Sequence, residues 1–265
     1  MTKIAIIGGT GVYDPRILDN VTEHSLNNRY GDVKYMSGSY AGEEIIFLAR
    51  HGTDHSVPPH LINYRANIWQ LKELGVERVI ATAAVGSLNI GMKPGSFVIT
   101  DQFLDFTKGR LATFYDGGEM GVVHSDMTGP YCPQIRQSLL KAGHEQGLVV
   151  HDGGVYVCTE GPRFETAAEI IMYQRLGGDL VGMTSVPECT LARELGICYA
   201  TVCMVTNYGA GISPQRLTHK EVLDAMALAT SNLKSLFMTA ITSLPPERGC
   251  ECNGIIADIE ELKNA

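Results

Sequence analysis

Short apolar runs rich in β-branched residues alternate along this chain with stretches whose apolar residues recur every three or four positions. The first kind predicts strands at residues 3–7, 44–49, 78–83, 96–104, 154–158, 180–183 and 197–205, the last apolar on both faces. The second kind predicts helices at 63–74, 134–145, 166–176 and 187–195, of which the first, third and fourth stop at glycines. The clearest helix signal is Thr218-His219-Lys220-Glu221, a capping box. Val222, Met226, Ala229, Leu233, Leu236 and Ala240 follow it as one apolar stripe. Strands alternating with helices imply an α/β fold, a largely parallel central sheet with helices on both faces. No Pro-, Gly- or Ser-rich linker interrupts the pattern, so residues 1–265 are expected as one domain, with polar residues 246–265 peripheral.

Composition narrows the function classes. Hydrophobic residues make up 45% and charged residues 19%, ordinary globular usage that excludes a disordered chain. Lys plus Arg is 21 against 29 for Asp plus Glu, a net charge of −8 that disfavours nucleic-acid polymers and anionic membrane surfaces. It also disfavours phosphate, unless a local site overcomes the global field. No apolar run reaches the ~18 residues of a membrane span, and residues 3–7 are too short for a secretion signal. Cys158, Cys189, Cys198 and Cys203 sit in apolar runs and read as buried reduced thiols of a cytoplasmic protein. Cys250-Glu251-Cys252 lacks the second pair that a zinc site needs, so no metal is expected there. Two surface thiols or a local thiol pair or disulfide remain open.

In α/β sheets ligands collect beyond the carboxyl ends of strands. At those ends lie Gly8-Gly9-Thr10-Gly11, Arg50-His51-Gly52, 83–87 (Ala-Ala-Val-Gly-Ser), Met183-Thr184-Ser185 and Thr206-Asn207-Tyr208-Gly209. Glycines let backbone N–H groups approach an anion, hydroxyls donate to it, and Arg adds a bidentate fork. The first cluster lacks both the dinucleotide glycine spacing and the P-loop Lys, and is equally a tight turn. Arg50-His51 is equally a surface ion pair, but several such donors on neighbouring strand ends can converge on one free phosphate. A second cluster, Glu160 to Thr166, places Phe164 and Glu165 at a helix start. There an aromatic face and a carboxylate can meet a flat heterocycle. Alternatively Phe164 is core and Glu165 complements the helix dipole.

The ordered set GGTG (8–11), LARHG (48–52), PPHLINYRANIW (58–69), AVGSL (84–88), FYDG (114–117), TEGPRFET (159–166), GMTSVPE (182–188) and ICYATVCMVTNY (197–208) resembles the trimeric purine nucleoside phosphorylase family. More narrowly it resembles the branch that includes methylthioadenosine phosphorylases, over residues 3–245. The resemblance implies a single-domain α/β/α fold with a central mixed β-sheet. It implies phosphorolysis of a purine nucleoside to free base and ribose 1-phosphate, in purine salvage. It further implies no cofactor, inorganic phosphate as co-substrate, and a homo-oligomer (trimer or dimer of trimers) with sites near its interfaces. Thr10, Arg50, His51, Ala84 and Thr184 match phosphate-binding positions, Ala84 through its backbone N–H only. Where methylthioadenosine enzymes usually carry a hydroxyl just before it, this chain has Ala83. Phe164 matches the ring that packs on the base, and Met183 the residue beneath the ribose. His124 matches a residue that a neighbouring subunit donates toward the 5′ end of the sugar.

Two departures bear on the substrate. Adenine-specific members carry Asp at the positions of Asn207 and Gly209. An Asn amide can donate to the O6 of hypoxanthine or guanine and accept from N7–H, while Glu165 accepts N1–H. This makes Asn207, Glu165 and His51 the expected catalytic set and 6-oxopurine nucleosides, inosine and guanosine, the expected substrates. His219 stands where methylthio-specific members tend to be apolar, and suits a 5′-hydroxyl. A methylthioinosine or methylthioadenosine phosphorylase is the alternative enzyme, and a nucleotide-binding module the alternative outside catalysis.

Overall fold

Along β1 (Lys3–Gly8), Ile4 and Ile6 join one core cluster while Ala5 and Ile7 join another on the opposite face. That two-residue alternation between two buried faces is why the run reads as continuously apolar. The computed structural model describes residues 3–8, 18–52, 56–213 and 219–256, with side chains of the last range from residue 229. β1 lies between β4 (Glu43–Ala49) and β5 (Val76–Ser87), parallel to both. Beyond β4 the sheet continues through an antiparallel hairpin, β2 (Asp19–Asn28) and β3 (Gly31–Tyr40).

Past β5 the sheet divides. One arm runs through β10 (Leu180–Gly182), β9 (Val155–Thr159) and β7 (Gln102–Phe106). The other runs through β11 (Cys198–Tyr208), β6 (Phe97–Ile99) and β8 (Val150–Asp152). Helices α1 (Tyr64–Glu73) and α4 (Ser185–Glu194) cover the face of Ala5 and Ile7. Helices α2 (Pro133–Glu145) and α5 (His219–Ser243) cover the face of Ile4 and Ile6. Helix α3 (Ala167–Arg175) packs through Ile170 and Tyr173 on Val157 and Val181 of the first arm. The result is one α/β domain with helices on both sides of a mixed sheet. Among the described residues no helix is long and apolar enough to cross a membrane.

Several sequence expectations change. The sheet is mixed, as the family resemblance implies, rather than largely parallel as the periodicity alone implies, because β3 and β6 run antiparallel to β4 and β11, and β10 antiparallel to β5. The single run expected at 96–104 is two strands in different arms: the chain turns at Thr100 and Asp101, whose polar groups bond Thr201, Arg136 and Gly154. In α5, Leu233, Leu236 and Ala240 are fully buried as the stripe predicts, while Thr218 and the side chains of Val222 and Met226 lie outside the described residues. The tail is not peripheral as far as residue 256: Cys252 is 4% and Ile255 8% exposed, and both join the core. Cys252 is therefore no surface thiol.

Candidate active site

The pairing of β5 with β1 stops at Ala81, and β5 continues past the ends of β1 and β4, paired there with β11 on its other side. Arg50, the residue after β4, turns into this step. Its backbone N–H bonds Gly8 O at 3.2 Å and its Nη1 donates to Thr82 O, left open by β1, at 3.0 Å. Its Nε and Nη2 donate to the two carboxylate oxygens of Glu188 at 2.6 Å each. Both side chains are at most 2% exposed, and Tyr199 Oη donates to Glu188 Oε1 at 2.7 Å. Burial works against the guanidinium charge, but the Glu188 carboxylate more than offsets it and holds Arg50 charged above its ordinary range. The structure thus makes Arg50 one half of a buried, bidentate ion pair rather than a surface one.

His51 follows. Its Nδ1 lies 2.9 Å from Val57 O. A carbonyl only accepts, so Nδ1 carries a proton in this contact. Thr184 opens α4, 7% exposed, and its N–H donates to Tyr156 Oη at 3.2 Å. A Cβ on Gly182 would overlap that hydroxyl, so glycine is required for Tyr156 to reach Thr184. Ala84 sits inside β5, opposite Met204, and not beyond a strand end as the sequence suggested: β5 is apolar enough to continue to Ser87. Thr10 lies outside the described residues.

The other end of the candidate site is built around a β-bulge. Val205 pairs with Val85 and Asn207 with Gly86, so Thr206 is an extra residue and Asn207 is re-aimed near the end of β11. Asn207 Oδ1 accepts from Thr206 Oγ1 at 2.7 Å and its Nδ2 donates to Tyr208 O at 2.8 Å. An amide has two donor hydrogens and two acceptor lone pairs. These contacts use one of each and leave one N–H and one lone pair. A carboxylate here would face the Tyr208 carbonyl with no hydrogen between them, so the position selects the amide. Gly86 leaves the room: a Cβ there would lie 3.1 Å from Asn207 Nδ2 and 3.2 Å from Val181 Cγ1.

Val181 carries the site across to the other arm, where Gly182 pairs with Cys158 and Thr159 ends β9. Thr159 Oγ1 donates to Glu165 Oε1 at 2.7 Å, fixing a carboxylate whose pKa burial raises and this hydrogen bond only partly restores. Phe164 is 42% exposed beside it, so it is not a core ring. Gly161, at φ +66°, lets the same loop lie against Met183 Sδ, where a Cβ would collide. One expected residue is not brought in, and a second is described only by its place in a helix. His124 is exposed in the irregular stretch between β7 and α2, and of His219 only its place as the first residue of α5 is described.

The profile of the family described as Phosphorylase superfamily matches residues 3–242. The chain belongs to the phosphorylase superfamily. A probable 6-oxopurine nucleoside phosphorylase of Thermococcus kodakarensis is 58% identical over 95% of this chain and 96% of its own length. A 6-oxopurine nucleoside phosphorylase of Pyrococcus furiosus is 56% identical over 95% and 97%. Among solved structures, a methylthioadenosine phosphorylase from Schistosoma mansoni in complex with adenine superposes with a TM-score of 0.90 at 32% identity, covering 99% of this chain and 97% of its own.

Two residues that shape the site of this phosphorylase-superfamily chain, Glu188 and Arg110, escape sequence reasoning. Glu188 reads as an ordinary helix acid, yet is fully buried on Arg50. Arg110 comes from the irregular stretch after β7 and is 2% exposed. Its Nη1 donates to Met183 O and Val186 O at 2.7 Å, and its Nη2 to Thr159 O and Glu160 O at 3.0 Å. One guanidinium thus clamps the ends of β9 and β10 and the entry to α4. Gly209 shows why no acid follows Tyr208: it is buried, and a Cβ would already lie 3.2 Å from Ile170 and 3.3 Å from Leu88. Glu188 leaves no pattern in sequence; for Arg110 the only signal is a cation in a long loop flanked by apolar runs.

Proposed function

We propose that this chain is a purine nucleoside phosphorylase that cleaves 6-oxopurine nucleosides, inosine and guanosine, with inorganic phosphate as co-substrate and no cofactor, in purine salvage. The observation that carries the reading is the Asn207 amide, with one N–H and one acceptor to spare, near Glu165. The amide N–H suits O6 and its carbonyl suits N7–H. The Glu165 carboxylate accepts N1–H, a proton that hypoxanthine and guanine possess and neutral adenine lacks. A mismatch at a polar site of this kind rejects the wrong analogue by about 10⁴-fold.

Arg50, held charged by Glu188, together with His51 Nε2–H when protonated, Thr184, Thr10 and the backbone at Ala84, would hold phosphate against C1′ of the sugar. Its negative charge stabilises the oxocarbenium-like ribosyl centre as the glycosidic bond lengthens. Phe164 packs on the base and Met183 lies under the ribose, so the reacting atoms are held in line. As the C1′–N9 bond breaks and a phosphate oxygen bonds C1′, N7 takes a proton from water; the Asn207 carbonyl accepts from that N7–H, and the purine departs neutral. His219 would meet the 5′-hydroxyl. His124 would come from a second copy of the chain, in a homotrimer or a dimer of trimers. Exposed Val122, 65% accessible two residues before His124, supports a covered surface there.

The test is base release from inosine, guanosine, adenosine, 5′-methylthioinosine and 5′-methylthioadenosine, each with and without phosphate. The reading expects phosphate-dependent release from inosine and guanosine ahead of the others. A preference for either methylthio-nucleoside would replace it with the alternative enzyme, and nucleotide binding without any release would remove catalysis altogether.

A further inference from the structure

Four of the seven cysteines converge although the sequence scatters them. Cys132 stands at the N-cap of α2, Cys198 opens β11, and Cys250 and Cys252 flank Glu251 in the C-terminal turn, 120 residues beyond Cys132 (252 − 132). Their four sulfurs all lie within 4.8 Å of one another. The Cys250 sulfur is 3.7 Å from that of Cys132 and 3.4 Å from that of Cys198, so it faces two partners at once. With Zn–S bonds of about 2.3 Å, the edge of a tetrahedral zinc tetrathiolate is about 3.8 Å. The sequence objection to zinc, a missing second pair, is answered by the fold: Cys132 and Cys198 are that pair, held together by the Cys132 N–H bonding Tyr199 O at 2.7 Å.

We propose that Cys132, Cys198, Cys250 and Cys252 form a structural Zn²⁺ site, a closed tetrathiolate that fastens the C-terminal segment to the bases of α2 and β11. The donor set suits it. Four thiolates with no water position are the signature of structural zinc, and soft sulfur ligands select zinc over hard cations. The thiols bind as thiolates and release their protons to water. The positive end of the α2 dipole favours the Cys132 thiolate. The cluster net charge would be −2 (+2 − 4), and Arg136 and Arg193 line the cleft that Cys250 and Cys252 border. Cys250, half-buried there, gives the ion a way in. The docked segment has its own packing: Arg248 Nη1 donates to Gly196 O at 2.9 Å, and Ile255 is in the core.

The test combines metal analysis with thiol counting on the purified full chain. Elemental analysis should find about one zinc per chain, and denaturation with chelator but no reductant should expose all seven thiols. Co²⁺ added to the metal-stripped, folded protein should give thiolate charge-transfer and tetrahedral d–d bands. Cys252→Ser should lose the zinc and lower the melting temperature, while Cys189→Ser, buried outside the cluster, should keep the zinc. Three reactive thiols (7 − 4) and no metal would mean two disulfides and overturn the proposal. Seven thiols with no zinc, before or after zinc is added, would overturn it equally. The wild-type measurements decide the matter even if a variant does not fold.

Discussion

Glu165 shows how one residue carries both a structural and a chemical demand. Burial pushes its carboxyl above the ordinary value of 4.5, and the Thr159 hydroxyl only partly draws it back. The ionised carboxylate accepts N1–H of a 6-oxopurine in a charge-assisted bond, and the neutral acid is a weaker acceptor. Protonation is favoured as pH falls through the raised pKa, so activity should be lost on the acid side earlier than for an ordinary glutamate. The acid limb of kcat/KM for inosine should therefore lie above pH 4.5, and Glu165→Gln should lower kcat/KM while removing that limb. An acid limb unchanged in the variant would take Glu165 out of base recognition. At the same scale, the types of Arg50, His51, Glu165 and Asn207 are legible in sequence because each follows or flanks an apolar run. Their partners are not. Glu188, Thr159 and Thr206 become partners only through sheet register and helix placement, which no local spacing encodes.

At the scale of elements, the site depends on strand ends that stop at different heights. β5 outruns β1, β10 pairs antiparallel with its last residues, and β11 carries the bulge that turns Asn207. Arg110 locks these ends by donating to four carbonyls of residues 159, 160, 183 and 186. Arg110→Ala would leave these acceptors without their donor, at about 1–3 kcal/mol for each one that stays buried and unpaired. Thermal unfolding of the variant should show a stability loss of a few kcal/mol, and kcat/KM should fall more than phosphate affinity, since the base end moves most. A variant as stable and active as the parent would show that the strand ends hold themselves. Strands and helices with strong apolar periodicity were readable: β1, β4, α1, α2 and α3 fall within a residue or two of expectation. The β2–β3 hairpin was not, because β2 is an edge strand with mostly exposed, polar side chains and no alternation to detect. The break between β6 and β7 was hidden for the opposite reason: both halves are apolar enough to read as one strand.

For the molecule as a whole, the net charge of −8 and the proposed anionic co-substrate are reconciled by where the cations sit. Arg50 and Arg110 are buried at the strand ends with neighbouring carboxylates that fix their orientation, so the local field at the site is set by placed groups and not by the total. Family membership follows from the match over residues 3–242, and the proposed substrate class rests on one amide and one carboxylate. The measurement that tests this most directly is the ratio of kcat/KM for inosine to that for adenosine, in the parent chain and in Asn207→Asp. The account predicts a parent ratio far above one and a fall of at least about 100-fold in the variant, since a carboxylate can accept from a 6-amino group but cannot donate to O6. An unchanged ratio would contradict it.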